Sequence, residues 1–184
     1  MMSYQRREAL VEEIVQAQPT LRPFVRDLST DLMAGSWDLV SYSFQRGFES
    51  LWDLARVDSS GLLDRPLLSL WRQSVELAIK SAILELAGSM RGSPGHNLEK
   101  LFQQLLDIRA EEGCEDDDDL ANNVRSMIAQ VQSFDPLADR FRYPTDPAGK
   151  PYVGVAVDLD QLFQAHWIIA TWCEGAVMEM RGDV

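Results

Sequence analysis

Apolar residues recur along this chain at steps of three and four, the period of an amphipathic helix. Ala9, Leu10, Ile14 and Val15 mark a first helix, which Pro19 stops after Gln18. Phe24, Val25, Leu28 and Leu32 mark a shorter second one. Gly35-Ser36 breaks it, and Ser36 can cap the segment that follows. That segment carries Trp37, Val40, Phe44, Phe48, Leu51, Trp52 and Ala55 as one wide aromatic stripe, ending at Asp58-Ser59-Ser60-Gly61.

Asp64-Arg65-Pro66 opens the next helix, with Pro66 in its first turn. Leu67, Leu70, Trp71, Val75, Ala78, Ile79, Ala82, Ile83 and Leu86 cover more than half of its circumference, which predicts the central helix of a bundle. The loop from Gly88 to Gly95 ends it, and His96 or Asn97 leads into a helix marked by Leu98, Leu101, Phe102, Leu105 and Ile108. After an acidic run comes a helix with Leu120, Val124, Met127, Ile128 and Val131, closed by Asp135-Pro136. Between Arg140 and Val157 the helical period disappears, and Asp146-Pro147-Ala148-Gly149 signals a turn, either in a small hairpin or in an ordered loop. The last helix starts at Asp158, with Gln161 at capping-box spacing, and buries a stripe from Leu159 to Met180. The pattern predicts an all-α, single-domain bundle of six or seven helices with a short irregular or hairpin segment near 140–157.

Length and composition agree with that picture. A chain of 184 residues with 46% hydrophobic and 25% charged residues can build one core. The formal charge of -12 opposes generic DNA binding, which needs cations to replace phosphate counterions, and adsorption to anionic membranes. Seven of the negative charges lie at Glu111, Glu112 and Glu115 to Asp119, so the rest of the chain is only mildly acidic. That run lacks the alternating ligands and central Gly of a calcium loop and is expected to be a solvated connector feeding the next helix N-terminus. No run of about 20 apolar residues occurs, Met1 to Glu8 lack the apolar core of a secretory signal, and the cytoplasm is the expected location. The two Cys and two His match no zinc spacing, so no metal or cofactor is expected. Cys173 and His166 share a helix face about 10 Å apart, too far for a thiolate–imidazole pair, and read as core residues.

The candidate chemistry lies elsewhere. Arg72, Glu76 and Lys80 form one charged column on the central helix. Exposed, the column is ordinary surface; buried, its charges need partners, for which Arg142 and Asp146 are candidates. Arg142 and Tyr143 precede Pro144, which holds Tyr143 extended. Arg142 could clamp a carboxylate or phosphate, or staple the segment to Glu76 or another acid in the bundle. His96 lies at a helix start, where unpaired amides attract anions. Arg91 lies four intervening residues before His96, but Gly-Ser-Pro-Gly fills the gap and gives the pair no rigid turn.

Three elements together resemble the HEPN superfamily. Trp71 to Leu84 is similar to the central helix of HEPN domains, with Glu76 and Lys80 in its Glu-x3-Lys step. Gly95-His96-Asn97-Leu98 resembles their His-polar-Leu step, and Phe141-Arg142-Tyr143-Pro144 their Arg-Tyr-Pro element. The elements fall in family order, over about residues 66 to 180. Residues 1–60 are left as N-terminal helices outside the resemblance, expected to pack on the same core as the HEPN-like bundle of 61–184.

The resemblance implies a helical bundle that dimerises and binds a protein, nucleotide or RNA partner, in stress or phage defence. Many HEPN proteins are metal-independent endoribonucleases of toxin–antitoxin and antiviral systems, using Arg and His of an Arg-x4–6-His motif across a dimer interface. No His follows Arg142 at that distance, so the leading expectation is a noncatalytic binding module. Its cluster would be Arg72, Glu76, Lys80, His96, Arg142, Tyr143 and Asp146, as ligand contacts or as scaffold. The alternatives are a ribonuclease using His96 with Arg142 or Arg91, and an acidic antitoxin or inhibitor presenting the 111–119 run.

Overall fold

A computed structural model describes residues 4–17, 36–154 and 156–182. Among these the protein is all-helical, with α1 (Tyr4–Ala17), α2 (Trp37–Ala55), α3 (Asp64–Ala87), α4 (Leu98–Glu111), α5 (Asp119–Phe134) and α6 (Leu159–Arg181). The helix expected through Phe24 to Leu32 lies outside the described residues. The chain forms two compact units, Met1–Ala34 and Gly35–Val184. Of the first, α1 is the described element, and it ends at Ala17, just short of Gln18-Pro19. The second is the helical bundle.

Its centre is α3. Twelve of the 24 residues of α3 are buried, and α2, α4 and α6 all pack against it, while α5 closes the bundle between α4 and α6. The core runs through Phe48, Leu67, Val75, Ile79, Ile83, Leu98, Leu101, Leu105, Val124, Ile128 and Ile169. The aromatic stripe on α2 is only partly inward: Phe48 and Ala55 are buried, but Trp37 is exposed. Ser41 and Gln45 take the buried positions of the first turns instead.

Local chemistry sets the helix ends. Ser36, Asn97, Asp118 and Asp158 cap α2, α4, α5 and α6, each side chain accepting from a backbone N–H of the first turn. Gly88 closes α3 in the left-handed region (φ 68°), its N–H bonded to the Leu84 carbonyl. Between α5 and α6 the chain turns repeatedly, and of the two alternatives, hairpin or loop, it takes the loop, with a single antiparallel bridge from Thr145 to Pro151.

Candidate functional site

Arg72, Glu76 and Lys80 lie one turn apart on α3, and the column they form points into the protein. Glu76 is 1% exposed and Arg72 2%, and Lys80 is half-buried. Buried charges persist only when paired and hydrogen-bonded. Glu76 is the hub: Oε2 accepts from Arg72 Nη1 at 3.1 Å and Oε1 from Lys80 Nζ at 2.7 Å.

The third partner comes from the loop between α3 and α4. Gly95, at φ 62°, turns the chain in the left-handed region just before His96. The Asn97 N–H closes that turn on the Pro94 carbonyl at 3.2 Å. His96 Nδ1 then sits 2.9 and 3.1 Å from the two Glu76 oxygens. Arg72 Nη2 also donates to the His96 carbonyl, fixing the residue by backbone as well as ring. Burial pushes the Glu76 carboxyl up, but Lys80 and His96 outweigh it and hold it below the usual carboxylate value. Burial pulls Arg72 down, with Glu76 and Asp135 opposing and the nearby Arg142 charge adding to the fall. An ionised carboxylate only accepts, so Nδ1 carries the hydrogen in the contact. The His96 side chain is nevertheless 61% exposed. A buried carboxylate thus orients an imidazole at the surface, the arrangement of a base and its orienting group.

Arg142 and Asp146, the partners expected for this column, do not fill that role. Arg142 Nε donates to the Ala138 carbonyl at 2.8 Å, joined by Nη2. Ala138 (φ 57°) turns that carbonyl into reach. Arg142 is therefore drawn to its own loop rather than to Glu76, and its guanidinium lies 5.6 Å from the centroid of the Tyr143 ring. Tyr143 is exposed, and its carbonyl accepts from Arg65 Nη2 at 2.8 Å. Asp146 closes its own turn, accepting from the Ala148 and Lys150 N–H groups at 2.9 Å. Arg91 is paired with Glu111 at 2.6 Å, on the exposed side of the loop.

Other buried polar groups gave no sequence expectation. Asp135 is buried and accepts from the Asp139 and Arg140 N–H groups at 2.8 and 3.0 Å. Asp139 in turn accepts from the Tyr152 hydroxyl at 2.7 Å, pushing that phenol up to about 12. Arg109 is buried too; it holds Asp116 with two parallel bonds of 2.8 Å, and reaches Ala176 O and Glu179 on α6, both at 2.9 Å. The connector is thus fastened at Asp116, not wholly solvated. The signal was in the sequence: Arg109 follows Leu98, Phe102 and Leu105 at steps of four, three and four, on the buried stripe. Cys173, read from the sequence as a core residue, is buried as expected, and burial pushes its thiol up to about 12.

Among the described residues no group of three or more His, Cys, Asp or Glu could hold a metal ion. No described helix is long and apolar enough to cross a membrane. A cavity of about 590 Å³ lies away from the Glu76 hub, lined by Leu68, Trp71, Phe141 and Ile168 among others. No family model matches the chain, and neither a curated protein nor a solved structure matches it.

Proposed function

We propose that the chain is a HEPN-like helical module that binds a phosphate-bearing ligand, a nucleotide or RNA end, beside His96 without cutting it. One observation carries this reading: buried Glu76 holds the exposed His96 ring among the cations Arg72 and Lys80, with Arg142 near enough for its charge to act on Arg72. The side chains of the first two HEPN-like elements are joined by the Glu76–His96 contact, and the third lies close to them. Arg72 and Lys80 both bond to the Glu76 carboxylate that holds His96, the charges of Asp135 and Arg142 both reach Arg72, and Tyr143 beside Arg142 offers a ring on which a base can stack. From the resemblance alone, the module dimerises and serves cytoplasmic stress or phage defence.

Fluorescence anisotropy with short RNAs bearing or lacking a terminal phosphate tests the proposal. Tighter binding of the phosphorylated ends, lost at least tenfold in Arg142→Ala and in His96→Ala, is the expected result. His96→Gln, whose amide can still donate to Glu76, separates lost binding from a displaced loop. Equal affinity for both ends would sink the reading.

The orientation of His96 favours one other reading, a metal-independent endoribonuclease with His96 as general acid–base. RNA cleavage in EDTA that disappears in His96→Ala would establish it and displace the noncatalytic module.

A further inference from the structure

We propose that the cleft between α2 and α6 binds a linear aliphatic polyammonium, of the diamine or triamine class. The two helices run antiparallel along it. Trp52 Nε1 donates to the Leu159 carbonyl at 2.7 Å at one end, and Asp38 feels the Arg181 charge at the other. Between these ends Phe48 and Trp52 of α2 pack on Phe163 and His166 of α6, and beside those contacts the helices border a cleft of about 410 Å³, within the usual range of ligand sites.

The lining is aromatic and, with Arg46 set against three carboxylates, net negative. Tyr42 on α2 and Trp167 on α6 are 58% and 51% exposed, so both rings have surface free for a cation. Three carboxylates line the same cleft, Glu49, Asp53 and Glu174. Arg46 pairs with Glu49, whereas Asp53 and Glu174 have no cation partner among the described residues. These two lie toward opposite ends, because Glu174 is level with Tyr42 and Gln45 while Asp53 stands beside Trp52. Eight to eleven residues of α2 separate the two levels, or about 12–17 Å along the helix. An extended polyammonium can answer both charges at once; a single ammonium cannot.

The floor supplies an independent sign. His166 lines it, is buried, and its Nδ1 has no hydrogen-bond partner. Burial pushes its pKa down to about 4, so the ring is neutral near pH 7 and one of its two nitrogens is an acceptor. Five buried side-chain polar atoms lack a partner among the described residues, and His166 Nδ1 is the one whose residue lines this cleft. A chain of N–H donors lying along the cleft is the ligand class that answers an acceptor floor, aromatic walls and two unpaired carboxylates together. This site is separate from the His96 face and does not depend on its assignment.

Titration calorimetry of the full chain with spermidine tests the proposal. Saturable one-to-one binding is expected, weakened at least tenfold in the Asp53→Asn/Glu174→Gln double variant and in Trp167→Ala. All three substitutions are at exposed positions, and unchanged melting curves would confirm that the fold is intact. Magnesium chloride at equal ionic strength should not displace the amine. Absence of saturable binding, indifference to the substitutions, or displacement by magnesium would each overturn the proposal. So would a wild-type dimer that Trp167→Ala converts to monomer without any spermidine binding, which would assign the cleft to a second copy of the chain.

Discussion

Replacing Glu76 with Gln removes the one negative charge on which Arg72, Lys80 and His96 converge. The amide keeps the shape but not the charge, and its NH2 group points a donor at donors. Arg72, with only 3% of its side chain exposed, is then left buried without its hydrogen-bonded counter-charge. Breaking a buried pair from one side costs about 3–5 kcal/mol. Against a total stability of about 5–15 kcal/mol that is a large share, and for a chain of this length it lowers Tm by roughly 6–20 °C. Urea unfolding followed by helical circular dichroism measures it, with an unchanged m-value if the effect is on stability alone. The double substitution Arg72→Met/Glu76→Leu should lose less than Glu76→Gln, because it removes both fully buried charges and deprives only Lys80 and His96, which keep contact with solvent. The pH dependence follows with a defined sign. The folded carboxyl titrates below the unfolded one, so its contribution is complete above the ordinary carboxylate value and disappears as pH falls through the folded value. A loss below about 1 kcal/mol for Glu76→Gln would refute the reasoning, since an exposed pair is worth no more than that.

The remaining predictions concern other parts of the bundle. His166 titrates in the folded protein near 4 against an ordinary 6.5. Its neutral burial therefore adds stability that is complete above pH 6.5 and is lost, by about 3 kcal/mol, as pH falls towards 4. In His166→Gln, unfolding at pH 7, 6 and 5 should show a flatter slope, and an unaltered slope would place the titration elsewhere. Arg109→Lys keeps the charge but loses the fork that grips Asp116, and should cost about 2–3 kcal/mol in urea unfolding; a near-neutral result would mean the fastening of the connector contributes nothing. Asp118→Ala removes the cap of α5, whose Oδ1 accepts from the Ala121 N–H at 2.7 Å, and should cost about 1 kcal/mol.

The helices were legible because their signals are local. Period, Pro66, Gly88 and the capping residues Ser36, Asn97 and Asp158 act within a turn of where they are read. The charged column was legible for the same reason, since spacing by four puts Arg72, Glu76 and Lys80 on one face. Its third partner was not, because His96 reaches Glu76 through space, by a loop folding back along α3. The numbers permitted it: 11 residues of helix after Glu76 advance about 16 Å, and the eight residues from Gly88 to Gly95 can span that when extended. Nothing in the pattern required it, and Arg142 and Asp146 were the partners expected instead. They went elsewhere because the nearest carbonyl and amides of their own loop satisfy them at a smaller entropic cost.

One further consequence belongs to α3. Because its buried positions include both the apolar core and the ionic hub, it offers few places where substitution is free. From Leu67 to Ile83, only Ser69, Leu70, Gln73, Lys80 and Ser81 keep partial contact with solvent. A saturation scan should therefore show a nearly continuous band of intolerance along this helix, in place of the alternating stripe of an amphipathic one. Within that band the pattern of tolerated residues separates two causes. Leu67, Val75 and Ile79 should accept other aliphatic residues, whereas Arg72 and Glu76 should tolerate change only when both change together.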